Sequence, residues 1–268
     1  MMDQLCPWDA PNYLVFSDNT PTLLFYSHIP AILVALLVGI LVFYKSGKSK
    51  VGVSLLIVTI LFSLWSLFDL ILWATNRPDI VMFFWSLQVL FEPLIFIVSF
   101  YLTYLFIKKV DLVFKWKLAF LLLYSPIIFL LPSMYSLQGV YLADCTAIEN
   151  FSAQYLTYVV ELISILAIIL FSIFEYRKIT DGIKKKEILT FGLGIVLFLI
   201  AFSWGNIIGS FTDNWTLAQV GLIGMPIFVA FLAYLIVRFH TFNIKFIATQ
   251  VLMASIWLLV LGILFIRT

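Results

Sequence analysis

The sequence predicts an all-α fold, a polytopic membrane bundle of about eight transmembrane helices with its N-terminus outside. Three observations carry this. Hydrophobic residues fill 63% of the 268 positions and charged residues 11%, at a mean hydropathy of +1.11; soluble domains hold roughly 25% charged residues. The apolar residues come in runs long enough to cross hydrocarbon, which takes about 20 residues per helix. The basic residues then collect on one side of those runs, as positive-inside topology requires.

The eight runs are Leu23–Tyr44, Val51–Ala74, Ile80–Ile107, Trp116–Met134, Tyr155–Tyr176, Ile188–Phe211, Trp215–Val237 and Phe246–Ile266. The connections between them are short and polar. Pro93, Pro126 and Pro226 fall inside spans. There each removes a backbone hydrogen bond, a loss that membrane bundles repair through neighbouring helices. No run alternates with strand period over the ten or so residues of a barrel strand, which argues against a membrane β-barrel. The aromatic complement of 27 Phe, 12 Tyr and 8 Trp suits lipid contact and the headgroup belt.

Of the 16 Lys and Arg, all but Arg77 and Arg267 lie in four connections: Lys45–Lys50, Lys108–Lys117, Arg177–Glu187 and the stretch holding Arg238 and Lys245. The positive-inside rule places these connections in the cytoplasm. Asp3, Asp9, Asp18, Asp79, Asp144, Glu149 and Asp213 then fall outside. The resulting organisation is an external tail over 1–22, a seven-helix bundle over 23–245 and an eighth helix over 246–268. Eight spans return the C-terminus to the outside.

Cys6 and Cys145 share the outer side, where disulfides persist. A bridge between them pins the tail over the mouth of the bundle; two free thiols are the other reading.

Polar residues inside the spans are costly. Trp65, Asp69 and Trp73 form a stripe on the second span, and Trp85, Gln88 and Glu92 share a face of the third. Glu161, Asn206 and Gln219 lie at similar depth, in the outer half by rise per residue. Two readings fit: an aromatic-lined pocket opening outward, or interhelical hydrogen bonds that hold the bundle together. Gly205 and Gly209 favour close helix packing. With few cations in the membrane, Asp69, Glu92 and Glu161 are expected to rely on Trp, Gln, Asn or Tyr partners, not on ion pairs.

Several chemistries lack their residues. His28 and His240 are separated by nearly the bilayer thickness, so they do not share a haem or a metal, and no Cys/His cluster exists. No span core contains a Lys for a retinal Schiff base. There is no phosphate-cradling G-x-x-x-x-G-K loop and no G-x-S-x-G elbow. The basic loops read as topology signals, and no nucleic-acid partner is expected. No cofactor, metal site or catalytic residue is assigned.

The segments Trp65–Ala74 and Phe83–Phe106, with Trp85, Gln88 and Pro93, and the run Ala233–Gln250, with Tyr234, Ile236, Val237, Arg238, Phe239, Phe242, Asn243 and Ile244, resemble the N-terminal seven-transmembrane sensor region of bacterial histidine kinases. The resemblance implies a sensory input module in a bacterial plasma membrane. It would detect an extracellular or membrane stimulus, a small molecule or a lipid, and act as a homodimer within a full-length kinase. The family's phospho-accepting His and nucleotide-binding boxes are absent from this chain, so kinase activity does not carry over. A small-molecule transporter is the alternative, although the repeated halves and broken midplane spans of transporters are not evident.

Overall fold

The computed structural model describes residues 5–18, 20–131 and 133–212, together with the single positions 217, 220, 221, 224, 227 and 231. Its helices are α1 (Thr22–Lys45), α2 (Lys50–Ala74), α3 (Pro78–Lys108), α4 (Phe114–Leu130), α5 (Phe151–Lys178) and α6 (Gly182–Thr212). Between α4 and α5 the chain forms an antiparallel hairpin of β1 (Leu137–Tyr141) and β2 (Thr146–Glu149).

Local chemistry sets the helix limits. The Ser49 hydroxyl accepts from the Gly52 amide at 3.1 Å and the Asn150 side chain from the Ser152 amide at 2.9 Å, capping α2 and α5. Pro78 opens α3 where its missing N–H costs nothing; Asp79 in the first turn and Lys108 in the last oppose the helix dipole. Pro93 has no N–H for the Val89 carbonyl, and one residue along the Tyr124 hydroxyl donates to the Leu90 carbonyl at 2.9 Å. A neighbouring helix thus supplies a donor beside the break.

Five of these helices are long and apolar enough to cross a membrane: α2, α3, α5, and most of α1 and α6. The chain is a multi-pass membrane protein. The fourth expected span falls short. Its helix has 17 residues, about 25 Å at 1.5 Å per residue, against a core of about 30 Å. The Ser133 hydroxyl donates to the Leu130 carbonyl at 2.6 Å and the Ser136 amide to the Ser133 carbonyl at 3.0 Å, so the chain turns into the hairpin before reaching the expected limit at Met134. The seventh and eighth expected spans lie outside the described residues, apart from single positions.

α3 is the hub of the bundle. It packs against α2, α4, α5 and α6 and touches both strands, while α1 leans on α2. The core is aromatic: Phe62, Phe96, Phe198 and Phe202 meet edge-on or tilted, and Phe106 stacks on Phe191 with centroids 3.9 Å apart. Small residues bring backbones together. A Cβ on Gly39 of α1 would collide with the Thr59 hydroxyl of α2, and one on Gly221 with the Ala201 carbonyl of α6. Large apolar side chains on α4 and α5, among them Trp116, Phe129, Leu170 and Phe174, face outward, as lipid contact requires.

The two ends of the bundle differ. At one end Asp111 accepts from Lys50 at 3.0 Å, Lys117 at 2.9 Å and Tyr101 at 2.8 Å, and Glu175 accepts from Lys108 at 2.7 Å and Lys178 at 3.3 Å. The lysine-bearing connections therefore meet in space. At the other end Cys6 and Cys145 form a disulfide with Cα atoms 5.7 Å apart. The Cys6 amide donates to the Asn76 carbonyl at 2.9 Å, and the Asn76 amide group to the Trp8 carbonyl at 3.2 Å. Leu72, Val81, Leu137 and Ala147 bury themselves around the bridge, a small second core separate from the aromatic one.

Candidate functional site

A cavity of about 430 Å³ opens at the disulfide end of the bundle, within the size range of about 300–1,000 Å³ typical of small-molecule sites. Each wall comes from a different element. α1 gives His28. α2 gives Trp65, Asp69 and Trp73, spaced four apart so that one face presents all three. α3 gives Trp85, Gln88, Val89 and Glu92; β2 gives Thr146 through Glu149; α5 gives Gln154, Thr157 and Tyr158; α6 gives Phe202, Gly205, Asn206 and Gly209, with Gly221 beyond.

Hydrogen bonds cross-link these walls. His28 is fully buried and its Nε2 lies 2.7 Å from Asp69 Oδ2. Its Nδ1 lies 2.9 Å from both the Leu24 carbonyl and the Ser27 hydroxyl. Gln88 Nε2 donates to Asp69 Oδ1 at 3.3 Å and to the Trp65 carbonyl at 3.4 Å. Asn206 Nδ2 donates to Glu92 Oε1. The Trp85 indole donates to Glu149 Oε1 at 2.5 Å, tying α3 to the hairpin. Gln154 donates to the Tyr158 hydroxyl at 3.3 Å, which in turn reaches the Asn206 carbonyl at 3.5 Å.

Glu149, in β2, has its carboxyl held above the usual glutamate range by burial, and the Trp85 N–H opposes that shift. Of the described residues that line the cavity, none is Lys or Arg. Nor do three His, Cys, Asp or Glu side chains converge as a metal site among the described residues.

The structure brings Trp65, Asp69, Trp73, Trp85, Gln88, Glu92 and Asn206 to one cavity. Glu161 stands one layer behind. It accepts from the Ser203 hydroxyl at 2.7 Å and is a hydrogen-bonding neighbour of the Glu92 carboxyl. Gln219 lies outside the described residues. Gly205 and Gly209 both line the cavity, and Gly205 also allows the close approach of Gly221. One expectation is corrected: Asp69 does meet a basic partner. His28 lies five residues into the first expected span and Asp69 five before the end of the second, so their antiparallel helices bring them level. That count was available from the sequence, whereas the placement of Glu149 in the roof was not, because it depends on the hairpin fold.

No family model, curated protein or solved structure matches this chain.

Proposed function

We propose that this chain is the membrane-embedded sensory input module of a signalling protein, of the kind its second, third and seventh predicted spans resemble in bacterial histidine kinases. The disulfide end faces outward and the lysine-rich end faces the cytoplasm of a bacterial plasma membrane, with α4 as a short span and two further spans completing eight. A stimulus molecule occupies the cavity, and the module acts as a homodimer within its kinase. The observation that carries this reading is the position of Glu92: it lines the cavity and is followed by Pro93 in α3, the helix that runs from the cavity end to the lysine-rich end. A helix lacking one backbone bond bends most readily there. A changed contact at Glu92 therefore shifts the far half of α3, a helix movement of the kind that switches receptors.

The test uses the full chain in nanodiscs with spin labels at Lys48→Cys and Lys109→Cys; the two native cysteines are bonded to each other and do not take label. A panel of small amines, alcohols and carboxylates is added. A sensory module changes its label-to-label distance with at least one compound and accumulates none of them in vesicles. Accumulation or counterflow in vesicles would establish the transporter alternative, and a bound compound that leaves the distance unchanged would refute signalling through α3.

A further inference from the structure

We infer that the cavity is built to receive an organic cation, a small molecule carrying an ammonium group; this rests on the ligand-binding reading above. The walls combine two features. Three carboxylates line it, Asp69, Glu92 and Glu149, with no Lys or Arg among the described lining residues. Of these, Asp69 alone has a basic neighbour among the described residues, His28. Among the described residues the donors to Glu92 and Glu149 are neutral, Asn206 and Trp85. Glu161 adds a fourth acid behind Glu92, and the two carboxyls are hydrogen-bonding neighbours. Buried carboxylates without a counter-ion are costly, and a cation in the cavity relieves that cost at two of them.

The second feature is aromatic. Trp65 and Trp73 of α2, Trp85 of α3 and Tyr158 of α5 line the same cavity. Indole and phenol rings attract cations through their faces, more strongly when desolvated, and quaternary ammonium recognition is the recurrent use of such cages. A divalent metal ion calls for converging oxygen or nitrogen ligands, and the described acids do not converge in that way. A hydrocarbon body fills the apolar part of the space while the ammonium takes the acidic part. An anion finds no Lys or Arg among the described lining residues.

The experiment compares isosteres that differ in charge. Choline, neutral 3,3-dimethylbutan-1-ol and anionic 3,3-dimethylbutanoate are titrated against the full chain in nanodiscs by calorimetry, as are phenethylamine and 2-phenylethanol. The expected result is that the ammonium compounds bind at least about tenfold tighter than their neutral partners. Glu92→Gln and Glu149→Gln should each lower that affinity by a similar factor, and Trp73→Leu should lower it for choline. Asp111→Asn, at the far end, should leave it unchanged. An intact Cys6–Cys145 bridge and an unaltered elution profile verify the fold of each variant. Equal or tighter binding of a neutral or anionic isostere overturns the cation assignment while leaving a ligand pocket in place, as does ammonium binding that survives the Glu92→Gln/Glu149→Gln double variant. Failure of all five compounds to bind also overturns the assignment, and the spin-label distances then decide the sensory reading on their own.

Discussion

Glu149 shows how a single residue ties the hairpin to the bundle. Its carboxyl is buried beside Trp85, and burial raises its proton affinity above the ordinary glutamate value of 4.5. The folded chain therefore binds this proton more tightly than the unfolded chain does. The contribution is fully present below the ordinary value and is lost as the pH rises through the raised one. Glu149→Gln keeps an oxygen for the Trp85 indole and removes the charge. Thermal unfolding of the natural chain should thus lose midpoint on going from mildly acidic to mildly alkaline pH, and the variant should lose less. Identical pH profiles would mean that the carboxyl is solvated. His28 and Asp69 are the other pair whose roles are set by contact rather than by residue type. The sequence shows both residues, but only the packing of α1 on α2 turns them into partners 2.7 Å apart.

Among the elements, the long apolar helices were legible because membrane spans announce themselves by composition. α2, α3 and α5 lie within a few residues of the expected spans. The β-hairpin was not legible. Its strands have five and four residues, too few for a periodic signal, and what holds them is the disulfide, the Trp85–Glu149 bond and packing on α3. The shortness of α4 was hidden for a related reason: apolar residues continue to Met134, while the turn that ends the helix is made by serine hydroxyls. The lysines read from the sequence as topology signals have a second role. Asp111, with Lys50, Lys117 and Tyr101 around it, ties the starts of α2 and α4 to α3, and these donors hold its carboxyl far below the usual aspartate range. Its contribution is present above the ordinary value of 3.8 and is lost only as the pH falls through the lowered one. Asp111→Asn should accelerate amide exchange in the first turn of α4 at neutral pH. Because Lys50 is well exposed, high salt should shrink the difference. A difference that persists in high salt would point to lost hydrogen bonds instead of lost charge attraction.

At the scale of the whole molecule, the chain is organised around two unlike ends joined by α3. The lysine-rich end is held by the exposed or half-exposed pairs of Asp111, which salt and pH can adjust, and by the buried Glu175 with its lysines. The cavity end is held covalently, by a bridge that closes a separation of 139 residues. In the chain-entropy model, closing a loop of more than 100 residues is worth roughly 4–5 kcal/mol. A bundle whose helices stay inserted when it comes apart has less disorder to lose, so the stabilisation here should fall below that figure. What the bridge fixes locally is the tail: Cys6 is 4% exposed and Cys145 2%, packed with Trp8, Leu72 and Val81 beside the cavity. The Cys6→Ser/Cys145→Ser variant should therefore remain a folded bundle. Its tail should become cleavable by protease added from outside, and the distance between labels at Lys48→Cys and Lys109→Cys should stay as in the bridged chain. Protease protection equal to that of the natural chain would show that packing alone holds the tail. Loss of the far-end distance as well would show that the bridge supports the entire bundle, and the two ends would then not be mechanically separable except through ligand contact at α3.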